Sequence, residues 1–428
     1  MVLGHALERR VFGLGPAGYH VDSLLLYALV CALAARLLLV LARQRDVAVF
    51  AGCFFVVAPL HAEVVAAINF REDLWSALGM FGALLLWCSP PVRGRRVDDG
   101  QRAAGAAALF ALALFGKESS LAFVPLALLI ALTLPWAWEA MRERRRTAYA
   151  LAAVLAGWLM WRVPLALHGD DLPLAPERPL GQMLLRTARF EVLAVVHALV
   201  PWLYAPDYWR QPDASFRWVL PCLSLVVGVV VLGRSRETRL PALGIGIALV
   251  APLACSPLLR PVNELADRYF FMGALGGGVV WGWLLDRAVV TLGLERARSA
   301  TALVCLPLVV VAWKATSIWR DERSLWTAAT AITPASPRAW AGLSRVHRVA
   351  REREAADEAM ACALNADPDY VPALVTEVYN DLAFGRLETA REHLAALDAR
   401  HAGDGGGINK ARHCAALDRT AAAACIGP

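Results

Sequence analysis

SLLLYALVCALAARLLLVLA, residues Ser23 to Ala42, is followed at once by Arg43, Gln44 and Arg45. The run contains a single charge, Arg36. At about 1.5 Å per residue a helix of that length matches the hydrocarbon core of a bilayer. The run is too long for the apolar core of a secretory leader, and arginines follow it where a small-residue cleavage site would be needed. It therefore reads as a membrane helix.

Outward from it the pattern repeats. Apolar runs follow at Val47–Leu60, Leu74–Cys88, Ala103–Phe115, Leu121–Trp136, Tyr149–Trp161, Trp218–Leu232, Leu240–Leu258, Phe270–Leu285 and Ala300–Trp313. Several fall short of the roughly 20 residues that cross a bilayer, and reach that length only by borrowing from the polar loops beside them. Phe190–Tyr204, which carries Glu191, His197 and Pro201, is open between a span and a re-entrant segment. The chain of 428 residues is 58% hydrophobic and only 19% charged, against about 25% charged for soluble proteins. The reading is an all-α, polytopic membrane bundle of about 10–11 helices over residues 1–316.

The net charge of +6 does not indicate nucleic-acid binding, because the arginines cluster between apolar runs. Arg93, Arg95, Arg96 and Arg102 form one cluster; Arg142, Arg144, Arg145 and Arg146 another; Arg234, Arg236 and Arg239 a third. The alternate loops hold only Arg71, Lys117, or Arg260 with Arg268. Basic loops stay cytoplasmic. Both chain ends are then extracytoplasmic, provided Phe190–Tyr204 does not cross.

From Ser317 charged residues become frequent. Pro334 recurs as Pro368, Ala339 as Ala373 and Ala356 as Ala390, all at one common offset. That offset, about 34 residues, is the period of tetratricopeptide units. With Trp340, Leu343, Met360 and Ala363 at the large and small positions, it predicts a tetratricopeptide-like helical tail over 317–402. Glu377 and Asp381 break the apolar positions of the second unit. Gly403–Gly407 reads as a linker, so that 403–428 is a linker and C-terminal tail. The cysteines show no metal spacing; an extracytoplasmic tail would permit Cys414 and Cys425 to pair.

Three polar clusters interrupt the membrane part: His61–Glu63 with Asn69–Asp73, Lys117–Glu118–Ser119, and Asn263–Tyr269. The charge pattern puts all three on the outer face, where ionisable residues beside a bilayer suggest a functional site. The acidic pair Asp170 and Asp171, in the loop His168–Arg189, reads as solvated.

GLGPAGYHVDSLLL (Gly13–Leu26), PLHAEVVAAINFREDLWSAL (Pro59–Leu78), LFGKESSLAFVPLAL (Leu114–Leu128) and ADRYFFMGALG (Ala266–Gly276) resemble, in order, motifs of the transmembrane O-mannosyltransferases that carry tetratricopeptide tails, and of their bacterial relatives. The resemblance implies a GT-C-type fold. It also implies transfer of a sugar, mannose among the candidates, from a polyprenyl-phosphate carrier to a protein or glycan hydroxyl on the extracytoplasmic face of a bacterial inner membrane. Such chemistry needs a carboxylate to accept the hydroxyl proton and cations to stabilise the departing phosphate. Arg71, Lys117 and Arg268, with His61, Asp267 and Tyr269, are the expected carrier-binding residues. Glu63, Asp73 and Glu118 are weak candidates for the base, and each could equally orient a cation. No cofactor and no metal is expected.

In that family the acidic residues credited with catalysis lie in a first outer loop, and no paired acidic motif precedes Gly13 here. Glu8 and Asp22 are the only acidic residues near the start. The reading is therefore an N-terminally truncated member, active or silent. A second reading is a non-catalytic, membrane-anchored scaffold whose tail binds a protein partner. A transporter ranks last, since no inverted repeat is detectable.

Overall fold

The computed structural model describes residues 9–13, 15–89, 98–168, 179–209, 215–259, 265–291, 297–400, 412, 414 and 416. Glu8, Arg93, Arg95, Arg96, Asp170, Asp171, Arg260, Asn263, Gly403–Gly407 and Cys425 lie outside them. Among the described residues all regular structure is helical, with no strand. The chain divides into two compact units: Met1–Tyr204 with Pro212–Thr316, and Ala205–Gln211 with Ser317–Pro428.

In the first unit α1 (Pro16–Ala42) packs on α2 (Arg45–Val57) and on α4 (Arg71–Cys88). The short α3 (Ala62–Ala66) lies between α2 and α4 in the chain. Then follow α5 (Asp99–Gly116), α6 (Phe123–Thr133), α7 (Pro135–Glu143), α8 (Arg145–His168) and α9 (Leu180–Leu199). The unit closes with α10 (Val219–Arg234), α11 (Arg239–Val250), the single turn α12 (Asp267–Phe270), α13 (Ala274–Thr291) and α14 (Ala297–Ile318). Pro16 opens α1 at the position where a missing N–H costs nothing.

Among the described residues four helices are long and apolar enough to cross a bilayer, or up to six if each of two bent pairs counts as one span. This makes the chain a multi-pass membrane protein, with fewer self-evident spans than the 10–11 expected. The physical reason lies in the motif loops. α4 opens on Arg71, Glu72 and Asp73, and α11 has only 12 residues before its helix breaks. Such helices are apolar because protein surrounds them, whereas α10 displays Leu220, Leu223, Val227 and Val230 outward. An apolar outer face of that kind requires hydrocarbon as its solvent. The open segment Phe190–Tyr204 resolves into the end of α9, which stops at Leu199 before Pro201.

α13 is the central strut. It touches α2, α9 and α11, and its glycines face them. A Cβ on Gly278 would fall 2.8 Å from the Ala51 carbonyl oxygen, and one on Gly282 2.7 Å from that of Val47. Gly277 meets the Ala198 carbonyl still more closely. Small residues four apart let helix backbones approach in this way. Trp281 adds a hydrogen bond from its Nε1 to the Leu199 carbonyl at 2.7 Å.

The second unit contains α15 (Glu322–Ile332), α16 (Pro337–Val349), α17 (Arg353–Ala366), α18 (Val371–Ala383) and α19 (Leu387–Arg400). α16 pairs with α17, and α18 with α19. Ala339, Ala356, Ala373 and Ala390, the alanines that share the repeat offset, are all 0% exposed. The turns repeat too: Glu352 N–H donates to the His347 carbonyl (2.9 Å), and one repeat on Arg386 N–H donates to that of Asp381 (2.8 Å). Ser336 caps α16 by accepting from Ala339 N–H at 3.0 Å. Asp207, which no motif announced, accepts from Ser336 and Arg338. Cys414 is disulfide-bonded.

Candidate functional site

The polar motifs meet where α4 begins and α5 ends. α4 and α5 pack along their length, with Gly79 against the α5 backbone at Leu109. The start of α4 therefore adjoins the end of α5. A helix start favours carboxylates and a helix end favours cations. Asp73 sits in the first turn of α4, and Lys117 follows the last residue of α5. Lys117 Nζ lies 2.7 Å and 2.6 Å from the two Asp73 carboxylate oxygens, with Glu72 at 3.5 Å. Behind them Ser120 donates to the Ala113 carbonyl (2.7 Å) and contacts the Ser76 hydroxyl (2.7 Å).

The second pair joins segments 205 residues apart. Arg268, on α12, gives its backbone N–H to Glu63 Oε2 at 2.9 Å and its guanidinium to Glu63 Oε1. The guanidinium lies 4.2 Å over the Phe70 ring and 4.9 Å over that of Tyr269, whose hydroxyl is 3.4 Å from Nη2. Arg268 and Asp73 interact electrostatically, as do Tyr269 and Lys117. Glu63, Asp73, Lys117, Arg268 and Tyr269 therefore form one cluster. Breaking either buried pair by deleting one partner costs about 3–5 kcal/mol, because a charge is left uncompensated. Both cations keep some exposure, 14% for the Lys117 side chain and 11% for that of Arg268.

The remaining expected site residues are placed differently. Arg71, 1% exposed, is bound to Asp22 at 2.9 Å, gives Nε to the Ile68 carbonyl at 3.1 Å, and lies over the Tyr19 ring. It ties α1 to α4. His61 is a core residue: Nδ1 is 2.8 Å from the Tyr27 hydroxyl, Nε2 is 3.2 Å from the Phe271 carbonyl, and Phe55 and Phe271 pack on its ring. The Tyr27 hydroxyl also lies 2.8 Å from the Val56 carbonyl, and whichever ring nitrogen carries the proton, both face a partner inside the protein. These are the surroundings of a packed core side chain. Glu118 pairs with Arg162 of α8 at 3.0 Å. Asp267 is buried and interacts electrostatically with Tyr204.

Three partners escape sequence reasoning. Asp22 has no local feature that links it to Arg71. Tyr27 sits inside an apolar run. Cys255 lies in the apolar run Leu240–Leu258, yet it is free and within electrostatic reach of Lys117 and Asp73. Only the meeting of α1, α4 and the segment before α12 reveals them.

No protein-family model, curated protein or solved structure matches the chain.

Proposed function

We propose that this chain is a GT-C-type membrane glycosyltransferase that binds a polyprenyl-phosphate-linked sugar and delivers the sugar to a protein or glycan hydroxyl. One observation carries the reading: Glu63, Asp73, Lys117, Arg268 and Tyr269, drawn from four segments, converge at a single end of the bundle. Arg268 and Lys117 are the groups suited to a phosphate, the guanidinium by its forked donors and the ammonium as a point charge. Glu63 and Asp73 hold them in place until the phosphate arrives. Each carboxylate is thereby committed to a cation, and Glu118 to Arg162, so the catalytic base is left unassigned. Mannose is the sugar carried over from the resemblance.

The tail belongs to the proposal as a tetratricopeptide-like module. Its support is the buried alanines and the turns that recur from one unit to the next. An extracytoplasmic tail on a bacterial inner membrane is supported by the arginine distribution and by the disulfide at Cys414.

The test uses the full chain in nanodiscs with polyprenyl-phospho-mannose, measuring retained carrier by native mass spectrometry and transfer to a serine-containing peptide. Retention should fall at least tenfold in Arg268→Ala and partly recover in Arg268→Lys. Absent retention, or retention indifferent to Arg268, rejects the carrier site and favours the scaffold reading. That reading draws its own support from the engagement of all three candidate carboxylates by cations.

A further inference from the structure

Within the tail, α17, α18 and α19 enclose a groove of about 450 Å³. Asp357 of α17, Glu377, Asn380 and Asp381 of α18, and Arg386 and His393 line it. Glu377, Asn380 and Asp381 are spaced to share one face of α18. Its two carboxylates are the ones that break the apolar repeat pattern, at positions where a packed helix would carry hydrophobic side chains.

The charges are unequally answered. Arg386 gives Nη1 and Nη2 to Asp357 at 2.7 and 2.8 Å, and its Nε lies 2.8 Å from Asp381. Asp381 is also 2.8 Å from His393 Nδ1. Among the described residues the one cationic group within 4 Å of Glu377 is that same His393 nitrogen, at 3.8 Å, with Arg386 attracting it from farther off. Three carboxylates thus face two guanidiniums, Arg386 and, 3.8 Å from Asp357, Arg353, and one imidazole. Burial pushes the Glu377 and Asp381 carboxyls above their ordinary range in spite of these neighbours.

Asn380 supplies an independent indication. It is 1% exposed and lines the groove. Ser344 spends its single proton on the Ala356 carbonyl at 2.7 Å, so it must accept from Asn380, whose Nδ2 is 2.8 Å away. That fixes the carboxamide orientation and leaves Oδ1 buried without a partner among the described residues. A buried acceptor left unmade costs about 1–3 kcal/mol.

We infer that this groove is a binding site for the arginine side chain of a peptide segment, with Glu377 and Asn380 Oδ1 as its acceptors. A guanidinium offers five donors in a fixed fork and accepts nothing, which complements a carboxylate beside a carbonyl oxygen. An acidic segment would meet surplus negative charge instead. The inference does not depend on sugar transfer by the membrane unit, and its test requires no donor lipid.

The full chain in nanodiscs is titrated into a fluorescein-labelled Gly-Ala-Arg-Ala-Gly peptide and into the same peptide with citrulline for arginine, followed by anisotropy. Saturable binding of the arginine peptide is expected, at least tenfold weaker with citrulline and at least tenfold weaker in Glu377→Gln. Glu377→Gln preserves shape and breaks no short hydrogen bond, and circular dichroism checks its fold. No saturable binding, equal binding of the two peptides, or an affinity untouched by Glu377→Gln would each overturn the assignment.

Discussion

Lys117 and Asp73, 44 residues apart in the chain, lock the end of α5 to the beginning of α4 through two hydrogen bonds of 2.7 and 2.6 Å. The Asp73 side chain is 4% exposed and that of Lys117 14%, so bulk water screens the pair little. The pair serves two purposes at once: it closes the bundle at this end, and it holds a cation beside Arg268.

Removing one member should therefore hurt more than removing both. Lys117→Met alone is expected to lower stability by about 3–5 kcal/mol, with Lys117→Met/Asp73→Leu recovering most of that loss. Thermal unfolding in detergent, followed by the monodisperse fraction after heating, checks the order. A double variant no better than the single would mean that the pair is not buried as described.

His61 should act as a core residue. His61→Phe keeps the aromatic packing with Phe55 but strands the Phe271 carbonyl. The expected loss is about 1–3 kcal/mol of stability, with polyprenyl-phosphate retention at a permissive temperature unchanged. A tenfold fall in retention without loss of stability would return His61 to the binding site.

Close packing at α13 gives a sharper contrast. Gly277→Leu drives a side chain into the Ala198 backbone and should cost about 1–3 kcal/mol or more through overpacking. Gly157→Leu, where nothing lies within 4 Å of the added Cβ, should be tolerated. The yield of monodisperse protein distinguishes the two. Equal yields would remove α13 as the strut.

Gly385 turns the chain between α18 and α19 with φ at 75°. A side chain there incurs the left-handed penalty, so Gly385→Ala should destabilise the tail by about 1 kcal/mol, and Gly385→Asn by less. Hydrogen exchange resolved to α18 and α19 reads the difference. The equivalent position one repeat earlier is Arg351, at φ 61°. It offsets the same strain by donating to the Ala383 carbonyl at 2.8 Å.

Acid should loosen the turn after α16. Glu352 accepts from His347 at 2.5 Å and from Arg323 at 2.9 Å. The His347 bond first, and then the Arg323 bond, hold its carboxyl below the ordinary range. Its folded value lies under its unfolded value of about 4.3. Its stabilising contribution is thus complete above that value and disappears as pH falls through the folded one. Between about pH 6 and about pH 3, a window that spans ordinary carboxylate titration, exchange of α16 amides should accelerate less in Glu352→Gln than in the parent. Rates are corrected for intrinsic exchange. Identical acceleration would assign the acid response to other carboxylates.

The legible parts were those written in local pattern. Ser23–Ala42 declares α1 by length and composition, and the repeat spacing marks positions that prove to be buried alanines. Lys117, Arg268, Glu63 and Asp73 stood out because charges beside apolar runs are costly. His61 and Arg71 stood out for the same reason, yet one is enclosed by aromatic rings and the other neutralised by Asp22. A charge in a sequence shows that it needs a partner without showing which one.

Hydrophobicity and its period are properties of neighbouring residues, and so helices, loops and the change of character near Ser317 follow from the sequence alone. Which carboxylate answers which cation depends on helices approaching from far along the chain. The glycines of α13, the α4–α5 contact and the short α12 together bring Glu63 to Arg268 and Asp73 to Lys117. Tertiary packing made that choice, because an ion pair is governed by distance in space.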